Sequence, residues 1–113
     1  MNWTPLINIH QLDEIDRESG AKKILLFKHS TRCSISHTAK ARLERSWNAE
    51  NDKEVHTYYL DLLAYRSLSN AIAERYGIEH QSPQVLMISN GKCILTQSHL
   101  SISAADIMEA SVL

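Results

Sequence analysis

An α/β domain built around a mixed sheet is the fold class that this sequence predicts, and three observations support it. Segments with helical spacing of apolar residues alternate with segments rich in β-branched and aromatic residues. The run from Ile24 to Phe27 has no polar interruption, as in a central strand covered by helices on both faces. Asn90-Gly91 separates two later apolar segments, which is typical of a tight antiparallel hairpin. With 113 residues, we expect one domain spanning residues 1–113.

The composition is that of a folded globular protein, and it narrows the classes of function. Hydrophobic residues make up 43% of the chain and charged residues 22%. The formal net charge of -1 offers no electropositive field for nucleic acid or for an anionic membrane. The apolar runs are far shorter than the roughly 20 residues of a membrane helix. The N-terminus lacks the pattern of an export signal. We therefore expect a cytoplasmic protein with no nucleic-acid or membrane partner.

The first half of the chain predicts helices and strands in alternation. A short amphipathic helix is expected over residues 9–19, with a buried side formed by Ile9, Leu12 and Ile15. A strand follows over residues 24–29. A helix of about 14 residues comes next, because four apolar residues recur at every fourth position: Ile35, Ala39, Leu43 and Trp47. Residues 55–62 predict a second strand, which is parallel to the first since a helix connects them.

The second half predicts a helix, a hairpin and a closing helix. The helix covers residues 67–76 and ends at Gly77. The hairpin begins with a strand over residues 84–90. The closing helix runs from Ala104 to Val112 behind an N-cap at Ser103. Its expected buried side consists of Ile107, Met108 and Val112. The predicted sheet is therefore mixed and four-stranded, flanked by helices, with an extra helix at the N-terminus.

Cys33 is the residue around which we expect the chemistry. The chain has only two cysteines, and a structural disulfide is uncommon in a reducing cytoplasm. Cys33 directly precedes the predicted second helix, where unpaired N–H groups and the helix dipole favour a thiolate. Between residues 28 and 45, a single acidic residue accompanies five basic ones: Lys28, Arg32, Lys40, Arg42 and Arg45. We interpret Cys33 as a reactive nucleophile; the alternative is a thiol that only fills space in the core.

Ser36 stands three residues after Cys33, where a dithiol oxidoreductase would carry its resolving cysteine. A mixed disulfide at Cys33 must then be released by an external thiol. Two roles stay open for Ser36, a hydrogen bond to the thiolate or satisfaction of first-turn backbone groups. His37 is a candidate imidazole neighbour that tunes Cys33. With His29 and Cys33 it does not complete a zinc site.

Cys93 is the other cysteine that could resolve a disulfide at Cys33. It begins the return strand of the hairpin, and the far end of strand 84–90 lies about 20 Å from Pro83 at roughly 3.3 Å per residue. A disulfide needs Cα atoms within about 7 Å of each other. We therefore assign Cys93 to packing.

The order of the elements, the position of Cys33 and the segment around Pro83 resemble the thioredoxin fold over residues 24–113. The resemblance implies that Pro83 follows a cis peptide bond and faces Cys33. Ser82, Pro83 and Gln84 would then form the other wall of a groove, where backbone groups pair with an extended substrate. By the same analogy, His99 lies beside this groove. It either contacts a carboxylate of a small thiol or is simply an exposed loop residue.

Within that fold, FKHSTRCSIS over residues 27–36 is similar to the signature of the YtxJ-like monothiol bacilliredoxins. That family usually has proline after the cysteine, where this chain has Ser34. The resemblance implies reduction of mixed disulfides between proteins and bacillithiol, in redox homeostasis under oxidative or general stress. Bacillithiolated proteins would be the substrates and bacillithiol a co-substrate. Bacillithiol or another small thiol would be the reductant, and no cofactor or metal would be bound permanently.

Two other functions remain open at this point. Single-cysteine relatives of glutaredoxin can share an iron-sulfur cluster across a dimer, with small thiols as the remaining ligands. A non-catalytic adaptor could instead keep the fold and use the basic face of its helix as a docking surface.

Overall fold

A five-stranded mixed sheet forms the centre of the computed structural model, which describes all of residues 1–113. Its strands are β1 (Thr4–Pro5), β2 (Lys23–His29), β3 (Val55–Asp61), β4 (Gln84–Ser89) and β5 (Lys92–Ser98). Their order across the sheet is β1-β3-β2-β4-β5. The first three run parallel, while β4 is antiparallel to both β2 and β5. The predicted parallel pairing of the two central strands is confirmed.

The prediction of four strands was wrong by one, because β1 adds an edge strand. Thr4 pairs with Tyr58 and Pro5 with Tyr59 in parallel register. A strand of two residues shows no alternation that sequence reasoning could detect. Proline is also depleted in strands, although it is tolerated at an edge such as this one.

The helices are α1 (Gln11–Glu18), α2 (Ser34–Ser46), α3 (Ala49–Glu54), α4 (Arg66–Tyr76) and α5 (Ala104–Ala110), with a 3-10 turn at His99–Ser101. The sequence did not predict α3, because this helix buries none of its six residues and so has no apolar periodicity. Its N-cap is Asn48, whose side chain accepts a hydrogen bond of 2.9 Å from the backbone N–H of Asn51. None of the helices combines the length and apolar character needed to cross a membrane.

Two apolar clusters, one on each face of the sheet, hold the helices in place. Alternate residues of β2 belong to different clusters, with Leu26 in one and Phe27 in the other. The first cluster includes Leu12, Ile15, Leu68 and Ile72 from α1 and α4. The second includes Ala39, Leu43, Ile107 and Ala110 from α2 and α5. Complete burial of a Val, Leu, Ile, Phe or Met side chain contributes about 1.5–3 kcal/mol.

Three predicted buried positions are exposed instead. Ile35 is 45% exposed, and Ser36 with Ala39 and Leu43 forms the buried side of α2. A spacing of four residues advances about 40° beyond a full helical turn at each step, so the predicted stripe drifts around the helix. Val112 is exposed because α5 ends at Ala110. Ile9 is exposed because it lies before the first residue of α1.

The predicted turns and caps are confirmed where backbone chemistry specifies them. Asn90 and Gly91 have φ values of 51° and 73°, as the hairpin turn requires. Gly77 ends α4 with φ 66°. The Ser103 side chain caps α5 by accepting a hydrogen bond of 3.2 Å from the backbone N–H of Asp106.

Candidate active site

The segments that contain the predicted site residues lie at one end of the central strands, where β2 and β3 end and β4 begins. The C-terminal residue of β2, His29, pairs with Asp61 at the end of β3. The preceding residue, Lys28, pairs with Gln84 at the start of β4. The loop that follows β2 therefore starts next to the point where the segment before β4 ends. Cys33 and Pro83 belong to these two segments.

Cys33 is the N-cap residue of α2 and is half-buried. Its extended backbone, with φ -109° and ψ 120°, ends the loop, and its carbonyl accepts a hydrogen bond of 3.1 Å from the backbone N–H of His37. The first turn of α2 contains no acidic residue. The sulfur is thus attached at the N-terminus of a 13-residue helix, and it makes no capping hydrogen bond with the first turn. The structure confirms the strand-to-helix position predicted for Cys33.

Ser36 is completely buried and binds the loop rather than standing free. Its Oγ lies 2.6 Å from His29 Nδ1 and accepts a hydrogen bond of 3.0 Å from the backbone N–H of Ser30. The backbone group that Ser36 binds belongs to the loop before α2, and not to the first turn of the helix as one of the two expected roles had it.

His37 also binds the loop. Its Nε2 donates a hydrogen bond of 2.8 Å to the carbonyl of Thr31, which can only accept. Its ring meets that of His29 edge to face, with 4.7 Å between the ring centroids. The imidazole that we considered as a neighbour of Cys33 is therefore engaged with Thr31 and His29.

His29 is the site residue whose place the sequence did not reveal. Its side chain is only 2% exposed and points towards α2, where it meets Ser36 and His37. Burial lowers the pKa of His29, and the nearby charges of His37 and Lys40 lower it further, while Asp61 and Glu44 act in the opposite direction. His29 is consequently neutral at physiological pH. The sequence predicts no role for His29 beyond an incomplete metal site.

The expected basic cluster around Cys33 is dispersed in the structure. Lys28 points to the opposite face of the sheet, where its Nζ donates hydrogen bonds of 3.0 Å to the Ser69 carbonyl and 3.3 Å to His80 Nδ1. Successive strand residues point to opposite faces, so Lys28 and His29 are separated by the sheet. Burial lowers the pKa of Lys28 to about 8.

The other basic residues of this cluster differ in their surroundings. Lys40 pairs with Glu44 at 3.0 Å, and its Nζ lies 5.8 Å from the ring centroid of Trp3 and 5.3 Å from that of Tyr59. Arg32 is exposed beside Cys33. Arg42 is exposed and donates a hydrogen bond of 3.4 Å to the carbonyl of Leu100.

The segment opposite the Cys33 loop contains a cis peptide bond between Ser82 and Pro83. Pro83 is buried, and its carbonyl accepts a hydrogen bond of 3.0 Å from the backbone N–H of His99. His99 is exposed, so its ring is accessible beside this segment. The Ser82 hydroxyl oxygen is buried and has no hydrogen-bond partner.

Gln84 is oriented differently from its neighbours in this segment. Its side chain is 2% exposed, accepts a hydrogen bond from the Gln81 backbone at 3.2 Å and donates one to the Glu79 carbonyl at 3.0 Å. The amide thus closes the loop before Pro83 and does not face solvent.

Cys93 lies towards the other end of the sheet. It pairs with Ile88, which pairs with Ile24 in β2, five residues before His29. At roughly 3.3 Å per residue this corresponds to about 16 Å along the strand. The Cys93 Sγ donates to the Leu95 carbonyl at 3.3 Å, and burial raises the pKa of this thiol. Both cysteines are free, and the packing role assigned to Cys93 agrees with its position against the first apolar cluster.

Solved structures with the same architecture define the class of protein. One, described as a candidate oxidoreductase with a thioredoxin fold, is 27% identical, with a TM-score of 0.79 over 94% of this chain and 90% of that chain. The thioredoxin of Malassezia sympodialis is 16% identical, with a TM-score of 0.73 over 98% and 89% of the two chains. That of Fasciola hepatica is 17% identical, with a TM-score of 0.67 over 96% and 95%. The protein has a thioredoxin fold.

The family is more specific than the fold. Residues 4–107 match the model of the family described as Monothiol bacilliredoxin BrxC, and the chain belongs to that family. Fold and family together support a thiol–disulfide oxidoreductase role, with bacillithiol involved in a general sense. No three His, Cys, Asp or Glu side chains cluster so as to hold a metal ion.

Proposed function

We propose that this protein removes bacillithiol from protein mixed disulfides by using Cys33 as its single nucleophile. The Cys33 thiolate attacks the bacillithiol sulfur, the mixed disulfide breaks, and the substrate protein leaves as a thiolate. Bacillithiol is then held on Cys33 through a new disulfide. A second small thiol attacks this disulfide, forms a disulfide with bacillithiol and returns the Cys33 thiolate. We place this reaction in the cytoplasm, as part of the response to oxidative stress.

One observation carries the proposal: Cys33 stands at the N-terminus of α2 without a second thiol in reach. Ser36 occupies the position of a resolving cysteine, and Cys93 lies about 16 Å further along the sheet at roughly 3.3 Å per residue. The two cysteines cannot form a disulfide without rearrangement of the sheet. An external thiol must therefore complete the cycle.

Ser82, Pro83 and His99 are the proposed substrate-binding residues. Backbone groups at Ser82 can pair with an extended segment of the substrate. His99 and Arg32 are exposed beside the two walls and can bind a carboxylate of the small thiol. Ser36, His37 and Lys40 support the Cys33 loop and α2. Gln84 acts indirectly, by holding the loop before Pro83.

The experiment incubates a bacillithiolated protein with the wild type, with Cys33→Ser and with Cys93→Ser, and follows the substrate by mass spectrometry. We expect the wild type and Cys93→Ser to remove bacillithiol when a reducing thiol is present, and Cys33→Ser to be inactive. A Cys33→Ser variant that removes bacillithiol at the wild-type rate would refute the proposal.

A further inference from the structure

We infer that His29 is a positioning residue for Cys33: as an uncharged side chain it fixes, through Ser36, the loop that presents the sulfur, so that protonation of His29 slows exchange. This inference rests on the proposed function, because the exchange that it affects is the one proposed above. His29 itself touches no reacting atom. It acts on residues 30–33, the segment between β2 and Cys33.

The hydrogen bonds at Ser36 define which form of His29 is present. The buried Ser36 hydroxyl has two partners, the backbone N–H of Ser30 and His29 Nδ1. The N–H of Ser30 can only donate, and the buried Ser36 hydroxyl proton has no acceptor other than His29 Nδ1, so this proton is directed to Nδ1. His29 Nδ1 is therefore the acceptor, and the neutral ring carries its proton on Nε2. Protonation would convert this acceptor into a donor, reverse the hydrogen bond at 2.6 Å and leave the buried Ser36 hydroxyl proton without an acceptor.

The same few residues close the whole loop. Ser36 binds Ser30, His37 donates to the Thr31 carbonyl at 2.8 Å, and the Cys33 backbone N–H donates to the Ser30 carbonyl at 3.2 Å. The rings of His29 and His37 are in contact, so a shift of His29 displaces both side chains that hold the loop. Misplacing a reacting group by about 1 Å can slow a reaction up to about a hundredfold.

The surroundings of His29 disfavour its charged form. Its ring is buried and lies 5.6 Å from that of Tyr59 between the centroids. The titratable and charged groups facing it come from α2 and β3: His37, Lys40, Glu44, Tyr59 and Asp61. Burial has the largest effect, and the cationic neighbours add to it, so the net effect lowers the pKa of His29. A buried polar side chain without its hydrogen bond is destabilising, which makes the Ser36 partner essential to this arrangement.

The test uses a Cys93→Ser background, in which Cys33 is the only thiol. His29→Phe fills the space without an acceptor, His29→Asn keeps a polar group near the position of Nδ1 but cannot titrate, and Ser36→Ala removes the hydrogen bond from its other end. Rate constants are measured from pH 5 to pH 8.5 for alkylation of Cys33 by iodoacetamide and for exchange with a bacillithiolated protein. Each is corrected for the thiolate fraction of that variant.

At pH 7.5 we expect His29→Phe and Ser36→Ala to exchange about tenfold more slowly than the parent, and His29→Asn to recover at least about a third of the rate. The parent should lose further rate in acid, with the midpoint of the His29 ring titration observed by NMR, and His29→Asn should not. Because the two residues act through one hydrogen bond, the double variant should be no slower than the slower single variant.

Alkylation needs no bacillithiol, so it separates the inference from the proposed function. An absence of exchange together with a His29-dependent alkylation profile would refute the proposed function and support the role of His29. Identical profiles for the parent and His29→Phe, or additive effects of His29→Phe and Ser36→Ala, would overturn the role of His29. Should His29→Phe fail to fold, the comparison of Ser36→Ala with the parent decides the same question.

Discussion

Ser36 shows how a single side chain decides the reaction sequence at this site. It occupies the helical position from which a second thiol would attack Cys33, and its oxygen instead binds His29 and the Ser30 backbone. An alcohol cannot displace a disulfide sulfur as a thiolate does, so the mixed disulfide on Cys33 waits for an external thiol. At the residue scale, the difference between a monothiol and a dithiol mechanism is thus one atom.

Replacement of this atom by sulfur should change the mechanism. In Ser36→Cys, the new thiolate can attack the bacillithiol disulfide on Cys33, release bacillithiol and leave an internal disulfide in the protein. We expect the isolated mixed disulfide to be stable in the wild type and to decay in Ser36→Cys when no other thiol is present. Intact-protein mass spectrometry follows both species.

The matched control is Ser34→Cys, which places a thiol at an exposed position adjacent to Cys33 but on a different side of the helix. We expect slower release in this variant. A Ser36→Cys mixed disulfide as long-lived as that of the wild type would contradict the prediction.

At the scale of elements, the backbone places the site and the helices hold it there. The site lies at one end of the central strands, where β2 ends, α2 begins and β4 starts. The short helix α3 connects α2 to β3 and contributes no buried side chain. Its stability therefore depends on local interactions such as the Asn48 cap, because a helix of this length is marginal by itself.

Removal of this cap should have a measurable cost. We expect Asn48→Ala to lower the free energy of unfolding by about 1 kcal/mol, since loss of an N-cap side chain typically costs about 0.5–2 kcal/mol. Urea denaturation measures the change. Asn70→Ala is the control, because Asn70 is exposed within α4 and alanine is a better helix former. Equal destabilisation by both substitutions would argue against the cap.

The elements that could be predicted are those that a short stretch of sequence specifies by itself. Asn90-Gly91 specifies a hairpin, and the uninterrupted run in β2 specifies a central strand. The position of Cys33 before α2 follows from the same boundaries. By contrast, β1 and α3 are too short, or too polar on all sides, to leave a periodic pattern.

The orientation of Lys28 and His29 could not be predicted, for a related reason. In a strand buried on both faces, apolar residues lie on both sides, so the alternation that would assign a face is missing. Lys28 therefore looked like part of the surroundings of Cys33, although it belongs to the face that α4 covers. His29 looked like an incomplete metal ligand, although it binds α2. Only the register of β2 shows that Lys28 and His29 lie on opposite faces of the sheet.

At the scale of the whole molecule, the folded protein buries one lysine side chain that has no ionic partner. Lys28 is completely buried, and its Nζ is bound only by the Ser69 carbonyl and by His80. Burial lowers its pKa from the ordinary 10.5 to about 8. Below pH 8 both the folded and the unfolded chain carry the proton, and the cost of burying the charge is fully present.

Between pH 8 and pH 10.5 the unfolded chain binds a proton that the folded chain has lost, so the contribution of Lys28 to stability rises with pH. We expect Lys28→Met to be most favourable relative to the wild type at pH 7, and this advantage to shrink by roughly 3 kcal/mol as pH rises through that window. Urea unfolding at several pH values measures the difference. Lys92→Met, at an exposed position, serves as the control and should show little change. A difference between Lys28→Met and wild type that does not vary with pH would contradict the prediction.

The most direct measurement is the location of bacillithiol after one reaction cycle without reductant. Wild-type protein is mixed with a bacillithiolated substrate in equal amounts, quenched with acid and analysed by intact mass and peptide mapping. We predict one bacillithiol adduct per molecule, located on the peptide that contains Cys33, with an equal loss from the substrate. An adduct on Cys93, or loss of bacillithiol from the substrate without any adduct on this protein, would contradict the account.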